Sequence, residues 1–229
     1  MVLIGPSLMC ADQGILRDSV ETLDDCGVDY FHFDVMDGVF VPNYSLSADT
    51  VKDLRKYTKK PFDVHLMVQN PERYIDQFVD AGADLISIHA ESTNHLHRAI
   101  DRIHARGARA GVAINPATSL HVLDYVLEMT HYVCLMTVNP GFSGQTFISG
   151  MYEKVEGLKA KIDREKTDTQ IQVDGNIGLN TISKIVPLGA TMLVCGTSCL
   201  FQANSDLSSS AIKLRVFVQE QIRLNNERM

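Results

Sequence analysis

The sequence has few cysteines, and none of them stands in a pattern used by metal sites or disulfide frameworks. Their number is odd, and no two have C-x-x-C spacing: Cys10, Cys26, Cys134, Cys195 and Cys199. A disulfide framework needs an even set, and a cysteine zinc site needs close pairs. We therefore expect reduced thiols, most of them buried.

Long apolar runs, targeting segments and linkers are also absent from the sequence. No apolar stretch reaches the roughly 18 residues that indicate a membrane span. The first residues, Met1 to Pro6, include no basic segment of the kind that opens a signal peptide. No Pro/Ser-rich stretch divides the 229 residues, 45% of which are hydrophobic. We expect a single domain over residues 1–229 in a soluble, cytoplasmic protein, rather than two small domains.

An excess of positive charge is missing as well. Lys and Arg total 21 against 28 Asp and Glu, which gives a formal net charge of −7. This balance offers no electrostatic reason to expect binding to nucleic acid or to an anionic membrane. We therefore expect a small-molecule ligand, and an anionic ligand would need local phosphate-binding geometry.

Short β-rich runs alternate with amphipathic stretches along the whole chain. Eight runs predict strands near residues 2–8, 29–35, 62–67, 84–89, 109–114, 132–138, 170–174 and 191–196. Between them apolar residues recur at spacings of three and four, as over 71–81 and 152–162, which predicts helices. Glycines stand where such helices would end: Gly27, Gly82, Gly107 and Gly189.

This repeated β-loop-α unit predicts a single (β/α)8 TIM barrel. Parallel strands need crossover helices, and eight units can close into a barrel without leaving a free edge. A doubly wound open sheet is the alternative. Its usual nucleotide signatures are missing, because no G-x-G-x-x-G follows the first strand and no G-x-x-x-x-G-K-[ST] occurs. In a barrel, functional residues gather at the C-terminal ends of the strands.

Histidines and aspartates end three of the predicted strands. His32 and Asp34 end the second strand, His65 the third and Asp174 the seventh. Residues two apart on a strand share a face, so closure of the barrel would direct all four side chains into one axial pocket. They could bind one divalent ion, Zn²⁺, Fe²⁺, Mn²⁺ or Co²⁺, and the carboxylates could also move protons. Asp63, on the same face as His65 but deeper, is interpreted as support for the site.

Glycine-containing loops follow the last three predicted strands. They contain Gly141, Phe142, Ser143 and Gly144, then Gly175 and Asn176, then Gly196, Thr197 and Ser198. Glycine lets backbone N–H groups approach an anion, and barrels frequently bind phosphate after strands 7 and 8. We interpret these loops as a phosphate site, with ordinary turns as the alternative.

Other polar and apolar residues stand at the same predicted rim. Met36, Met67 and Met136 end three different strands and are expected to form an apolar wall that restricts water. Ser7, at the end of the first strand, either binds a substrate hydroxyl or caps a turn. Three histidines are interpreted as structural or solvated: His89, His95 and His97.

Several segments, in the same order, resemble the ribulose-phosphate 3-epimerase family. They span residues 6–8, 32–43, 63–68, 136–142 with 144–145, and 173–175. The resemblance implies a (β/α)8 barrel of the ribulose-phosphate-binding type with a divalent metal on His32, Asp34, His65 and Asp174. It also implies that Asp34 and Asp174 are the acid/base pair, that Ser7 and His65 touch substrate, and that the last three loops hold phosphate. We expect a homo-oligomer, either a dimer or a hexamer.

The sequence departs from this family's usual pattern where the substrate would bind. Members acting on pentulose phosphates usually carry glycine where this chain has Ser143 and Asn176, and residues 7–10 and 196–201 are similar to the allulose-6-phosphate 3-epimerase branch. The resemblance implies interconversion of D-ribulose 5-phosphate and D-xylulose 5-phosphate through an enediolate. Conversion of D-allulose 6-phosphate to D-fructose 6-phosphate is the alternative.

Two other classes of protein stay open at this point. A phosphate-binding barrel lyase would usually need a catalytic lysine, which none of the predicted strand ends contains. A metal-dependent binding module without catalysis is the third interpretation.

Overall fold

A computed structural model describes residues 1–227 as strands and helices that alternate along the chain. The strands are β1 (Leu3–Pro6), β2 (Phe31–Asp37), β3 (Tyr44–Ser45), β4 (Phe62–Met67), β5 (Leu85–His89), β6 (Arg109–Ile114), β7 (Tyr132–Met136), β8 (Gln170–Asp174) and β9 (Met192–Cys195). The helices are α1 (Leu16–Asp25), α2 (Ala48–Leu54), α3 (Ile75–Ala81), α4 (Leu96–Ala105), α5 (Met151–Glu165), α6 (Leu179–Ile185) and α7 (Leu207–Asn226). All eight predicted strands are present, and only the two-residue β3 was not predicted.

The sheet closes on itself. Its strand order is β1-β9-β8-β7-β6-β5-β4-β2, with β3 antiparallel to the end of β2. A parallel bridge between Ser7 and His32 joins β1 to β2, and the Asp29 N–H donates to the Ile4 carbonyl at 2.9 Å. The fold is therefore the predicted (β/α)8 TIM barrel, and the open doubly wound sheet was the wrong alternative because the end strands meet.

Alternation along β2 separates the core from the barrel interior. Phe31, Phe33 and Val35 pack into the large apolar core with residues of the surrounding helices. The residues between them, His32 and Asp34, belong to the opposite face and so point toward the barrel axis. In the register with β4, Asp34 lies beside His65 and His32 beside Asp63. The sheet thus fixes the height of each polar side chain.

The helical connections follow the predicted repeat with two departures. Glycine ends the helices as predicted, since Gly82 caps α3 with a φ of +107°. Residues 71–81 begin with a 3₁₀ turn, Pro71–Arg73, before α3. Between β6 and β7 two short 3₁₀ turns, Leu120–Leu123 and Leu127–Met129, stand in place of an α-helix.

The expectations about cysteine and membrane segments also have structural counterparts. The thiols are free; Cys134, Cys195 and Cys199 are buried, and Cys10 and Cys26 are partly buried. Among residues 1–227, no helix is both long enough and apolar enough to cross a bilayer.

Candidate active site

Four side chains from three strands meet at the C-terminal mouth of the barrel. His32 and Asp34 come from β2, His65 from β4 and Asp174 from the end of β8. One nitrogen or oxygen atom of each residue lies within 4.8 Å of those of the others. The structure therefore brings together the four residues predicted to bind a metal.

The distances among these atoms suit a metal ion. Asp34 Oδ1 lies 3.3 Å from His32 Nε2 and 3.4 Å from His65 Nδ1. Asp174 Oδ2 lies 3.8 Å and 3.5 Å from the same two nitrogens. Tetrahedral coordination with metal–ligand bonds of about 2.0–2.1 Å would separate ligand atoms by about 3.4 Å. The four carboxylate–imidazole distances are thus close to those expected between ligands of one ion.

The two imidazole nitrogens that face this centre have no other partner. His32 and His65 are fully buried, and although Asp34 Oδ1 lies 3.3 Å from His32 Nε2 and 3.4 Å from His65 Nδ1, neither nitrogen forms a hydrogen bond of acceptable geometry within residues 1–227. A buried polar atom without a partner costs about 1–3 kcal/mol. A cation bound between the rings would remove that cost, and two imidazoles with two carboxylates suit Zn²⁺, Fe²⁺, Mn²⁺ or Co²⁺. The residues present fit a divalent transition metal.

The charges of the cluster also favour a cation at its centre. Burial disfavours the protonated form of His32, but the carboxylates of Asp34 and Asp63 outweigh burial and raise the pKa of His32 well above its ordinary value. Burial likewise opposes ionisation of Asp34, but His32 and His65 outweigh it and lower the pKa of Asp34. The surroundings therefore stabilise positive charge beside an ionised Asp34.

His32 is held from behind by a carboxylate. Its Nδ1 lies 2.8 Å from Asp63 Oδ2, and Asp63 also accepts hydrogen bonds from Gln172 Nε2 at 2.6 Å and from the Tyr132 hydroxyl. Asp63 is fully buried and lies deeper than His65, as predicted. A carboxylate in this position fixes the orientation of a metal-binding imidazole.

His65 is held by a second histidine, whose contact with the site was not predicted. His65 Nε2 lies 2.9 Å from His89 Nε2, and the two rings stack with centroids 5.0 Å apart. Burial lowers the pKa of His89 to about 4, so this ring is neutral at pH 7. Its place at the end of β5, two residues after the Ser87 that pairs with His65, is the signal that could have located it. His95 and His97 are exposed, as expected.

The two aspartates present themselves differently to the centre. Ser7 Oγ donates to Asp34 Oδ2 at 2.5 Å, so Asp34 turns Oδ1 to the imidazoles and Oδ2 to Ser7. Asp174 turns Oδ2 to the imidazoles, and its side chain is 13% exposed against 4% for Asp34. Each carboxylate keeps a second oxygen that can exchange a proton with a ligand in the adjoining cavity.

A cavity opens over the centre, and its inner wall is rich in methionine. It is lined there by Ser7, Met9, Cys10, Met36, Met67 and Met136. Met9 and Cys10, in the turn after β1, were not predicted to belong to the site. Burial, together with the charge of Asp34, raises the pKa of Cys10 to about 11, which keeps the thiol protonated. Met36, Met67 and Met136, the three methionines predicted at this rim, thus line the cavity together with Met9 and Cys10.

The outer side of the cavity consists of the loops after β7, β8 and β9. They contribute Gly141, Phe142, Ser143, Gly144, Gly175, Asn176, Gly196, Thr197 and Ser198. Gly175 has a φ of +119°, and a Cβ there would lie 2.6 Å from Val138 Cγ2, so the turn requires glycine. The Ser198 hydroxyl donates to Asn176 Oδ1 at 2.6 Å and joins two of the loops.

The residues predicted to bind substrate therefore border a common cavity, with the exception of His65. His65 is fully buried behind the carboxylates. Within residues 1–227 the backbone N–H groups of Asn176 and Ser198 donate to no backbone carbonyl, and both residues line the cavity. The contacts of these residues with substrate stay predictions.

The chain is similar to ribulose-phosphate 3-epimerases over most of its length. Residues 3–201 match the Ribulose-phosphate 3 epimerase family. The ribulose-phosphate 3-epimerase of Bacillus subtilis (strain 168) is 40% identical over 214 residues, which cover 93% of this chain and 99% of the relative. The ribulose-phosphate 3-epimerase of Escherichia coli (strain K12) is 39% identical over 201 residues, which cover 87% of this chain and 89% of the relative.

Solved structures share the fold at much lower identity. The 3-hexulose-6-phosphate synthase from Salmonella typhimurium has a TM-score of 0.69 at 14% identity, with 96% of this chain and 100% of the other chain covered. At this level of identity the likeness shows the TIM-barrel fold alone.

The barrel and the sequence matches agree on a class of protein, an isomerase that acts on a phosphorylated sugar. Within that class, the chain belongs to the ribulose-phosphate 3-epimerase family. The resemblance found from the sequence segments is thereby confirmed.

Proposed function

We propose that the protein is a metal-dependent ketose-phosphate 3-epimerase that interconverts D-ribulose 5-phosphate and D-xylulose 5-phosphate. The observation that carries this proposal is the placement of two carboxylates, Asp34 and Asp174, at one cavity beside two unpartnered imidazole nitrogens. The relatives that bear the name ribulose-phosphate 3-epimerase support the choice of sugar.

Epimerisation at C3 needs a base and an acid on the two faces of one carbon. The proton α to the C2 carbonyl leaves, an enediolate forms, and a proton returns to the opposite face. Asp34, whose ionised form the site stabilises, takes the first proton at Oδ2. Asp174 acts as the acid that gives the second proton. The two residues exchange roles in the reverse direction.

His32, Asp34, His65 and Asp174 would hold the divalent ion. When bound, the ion supplies Lewis-acid stabilisation of the negative charge that develops on the substrate oxygens. The chain fixes the rings that face it, because Asp63 holds His32 and His89 holds His65.

The rest of the cavity would position the sugar phosphate. The N–H groups of Asn176 and Ser198, in the loops after β8 and β9, would bind phosphate oxygens. Met36, Met67 and Met136 would restrict water around the charged intermediate. Ser7 orients Asp34 and lies within reach of a substrate hydroxyl.

Turnover in D₂O tests the two-base mechanism. Xylulose 5-phosphate formed from ribulose 5-phosphate should acquire deuterium at C3 and at no other carbon, because the returning proton comes from a carboxyl group that exchanges with solvent. Mass spectrometry and ¹H NMR of the product measure this. Product that retained its original C3 hydrogen would contradict the mechanism.

D-Allulose 6-phosphate, which would give D-fructose 6-phosphate, is a second candidate substrate. The observation that favours it is the presence of Ser143 and Asn176 at the cavity, where glycine is expected for a pentulose phosphate. A ketohexose phosphate bound at the same C3 puts its phosphate about one C–C bond farther out, so the loops must have a different shape. The ratio of kcat/KM for the two sugars, with metal content measured on the same preparation, decides between them.

A further inference from the structure

A hydrogen-bonded series of three side chains, His65, His89 and Glu91, leads from the four predicted metal ligands to the surface of the barrel. His65 Nε2 lies 2.9 Å from His89 Nε2, and His89 Nδ1 lies 3.2 Å from Glu91 Oε2. Both rings are fully buried, whereas the Glu91 side chain is 24% exposed. The series therefore ends in a carboxylate that is partly exposed to solvent.

Glu91 is fixed as a hydrogen-bond acceptor. Its Oε1 accepts from the backbone N–H of Asn115 at 2.8 Å and from the Thr118 hydroxyl. Burial acts to raise the pKa of Glu91, but the hydrogen bonds from His89, Thr118 and Asn115 outweigh it and lower the pKa to about 2. An ionised carboxylate only accepts hydrogen bonds, so its Oε2 can face only a donor.

Because Glu91 can only accept, it determines which atom donates in each of the two hydrogen bonds between Glu91, His89 and His65. His89 must carry its proton on Nδ1 to donate to Glu91, and a neutral imidazole then has its lone pair on Nε2. That lone pair can pair only with a proton on His65 Nε2. The lone pair of His65 consequently lies on Nδ1, the atom 3.4 Å from Asp34 Oδ1 and 3.5 Å from Asp174 Oδ2.

His32, the other predicted imidazole ligand, contacts a carboxylate directly. In the β2–β4 register, Asp63 lies beside His32 and accepts from its Nδ1 at 2.8 Å. In the β4–β5 register, Ser87 lies beside His65, so no carboxylate stands at the corresponding position. His89 and Glu91 occupy the distance that a single aspartate covers for His32.

We propose that His89 and Glu91 are positioning residues that hold His65 in the tautomer with an unprotonated Nδ1 facing the metal. This inference rests on the proposed metal-dependent function. It assigns to Glu91 an effect on metal affinity, although Glu91 itself contacts His89 and none of the four predicted metal ligands.

The variant Glu91→Gln should reverse the direction of these hydrogen bonds with almost no change in side-chain volume. The Asn115 N–H can only donate, so the amide oxygen of glutamine should take the Oε1 position and its NH₂ group should face His89 Nδ1. His89 would then carry its proton on Nε2 and push the proton of His65 onto Nδ1. Changes of this kind behind metal ligands typically lower metal affinity about 10–100-fold.

Zinc affinity of the full-length protein, measured by competition with a chromogenic chelator, tests the inference. We expect Glu91→Gln to weaken zinc binding about 10–100-fold, with a far-UV circular dichroism spectrum like that of the wild type. Thr118→Val removes a donor to Glu91 but leaves the acceptor that faces His89, so its affinity should stay near wild type. Glu128→Gln, at an exposed position away from His65, His89 and Glu91, should leave zinc affinity unchanged. Unchanged zinc affinity in a folded Glu91→Gln protein would overturn the proposal.

Long-range ¹H–¹⁵N NMR of the zinc-loaded wild-type protein tests the tautomers of His65 and His89 directly and needs no variant. Protons on His65 Nε2 and His89 Nδ1 are expected, and a proton on His89 Nε2 would overturn the proposal. Neither measurement requires turnover. A protein with these tautomers that fails to epimerise ribulose 5-phosphate would contradict the proposed function and leave this inference intact.

Discussion

The two sides of the candidate active site are built from different parts of the barrel. On the β2 and β4 side, His32, Asp34 and His65 project from within strands and are almost completely buried. On the other side, Asp174 ends β8 and is followed at once by a loop in which Gly175 and Asn176 both have positive φ. The first side is held by the sheet, and the second by turns.

This difference separates two tasks that the site must perform. Each side chain of the strand side has a partner that limits its movement: Ser7 for Asp34, Asp63 for His32 and His89 for His65. Such support suits metal binding and proton transfer, which require atoms held within about 0.5 Å. The loop side offers backbone N–H groups and a side-chain link, which a change of one residue can reshape. We infer that the strand side together with Asp174 sets the chemistry, and that the loops after Asp174 set the substrate.

Removal of the metal should have the largest effect, because the ion would join His32, Asp34 and His65 of the strand side to Asp174 of the loop side. Prolonged chelation is expected to abolish activity, and added divalent transition metal to restore it. His65→Ala should lower metal content in the purified protein without unfolding the barrel, since His65 is not part of the large apolar core between the sheet and the helices. Metal analysis and circular dichroism measure these outcomes. Full activity in a protein shown to be metal-free would refute the assignment.

Replacement of either carboxylate should come next in size and should show that both sides are needed. Asp34→Asn and Asp174→Asn each remove one proton carrier, and loss of general acid–base catalysis costs about 10²–10⁴-fold. Asp101→Asn, an exposed change on α4, is the control. The measurement is kcat at equal metal occupancy. A variant at position 34 or 174 that kept more than a tenth of wild-type kcat would show that its carboxylate is not an essential acid or base.

A smaller effect is expected where a supporting contact is lost but the carboxylate remains. Ser7→Ala removes the donor to Asp34 Oδ2, and a hydrogen bond to a charged group is worth about 1.5–3 kcal/mol. We expect kcat/KM to fall roughly 10–150-fold, which is the same range expressed as a rate. Ser183→Ala, which changes a hydroxyl on α6, should have no effect. Equal kcat/KM for Ser7→Ala and the wild type would mean that the strand side needs no such support.

The strand side could largely be predicted from the sequence, because local alternation determines it. His32 and Asp34 stand two apart in an apolar run, and the same period relates Asp63 to His65, so the inward face follows from spacing alone. The partners on other strands were harder to predict. The contact of His89 with His65 depends on the register between β4 and β5, and that of Ser7 with Asp34 on where the barrel closes. Neither register can be read from one strand.

The loop side and the connections were predicted less completely for a related reason. Glycines marked the loops, but the hydrogen bond between Asn176 and Ser198 joins turns that are 22 residues apart in the chain. The turns between β6 and β7 keep Leu123, Val126 and Leu127 buried without forming an α-helix. Burial at helical spacing therefore did not determine the backbone conformation there.

The smallest expected effect concerns the length of the sugar and lies entirely on the loop side. Asn176 has a φ of +54°, which glycine adopts without strain, so Asn176→Gly should fold normally. The substitution removes the acceptor of the Ser198 hydroxyl and thereby unlinks the two loops. We expect the ratio of kcat/KM to shift toward ribulose 5-phosphate over allulose 6-phosphate by about tenfold, or about 1.4 kcal/mol of differential transition-state binding.

A matched variant separates the two contributions of Asn176 to this shift. Ser198→Ala breaks the same hydrogen bond but keeps the asparagine side chain in the cavity. If the link between the loops reads sugar length, both variants should move the ratio in the same direction and by similar factors. If the volume of the side chain does so, only Asn176→Gly should move it. A ratio that neither variant changes would show that position 176 does not distinguish the two sugars, and the loop side would then need another residue, such as Ser143, to do so.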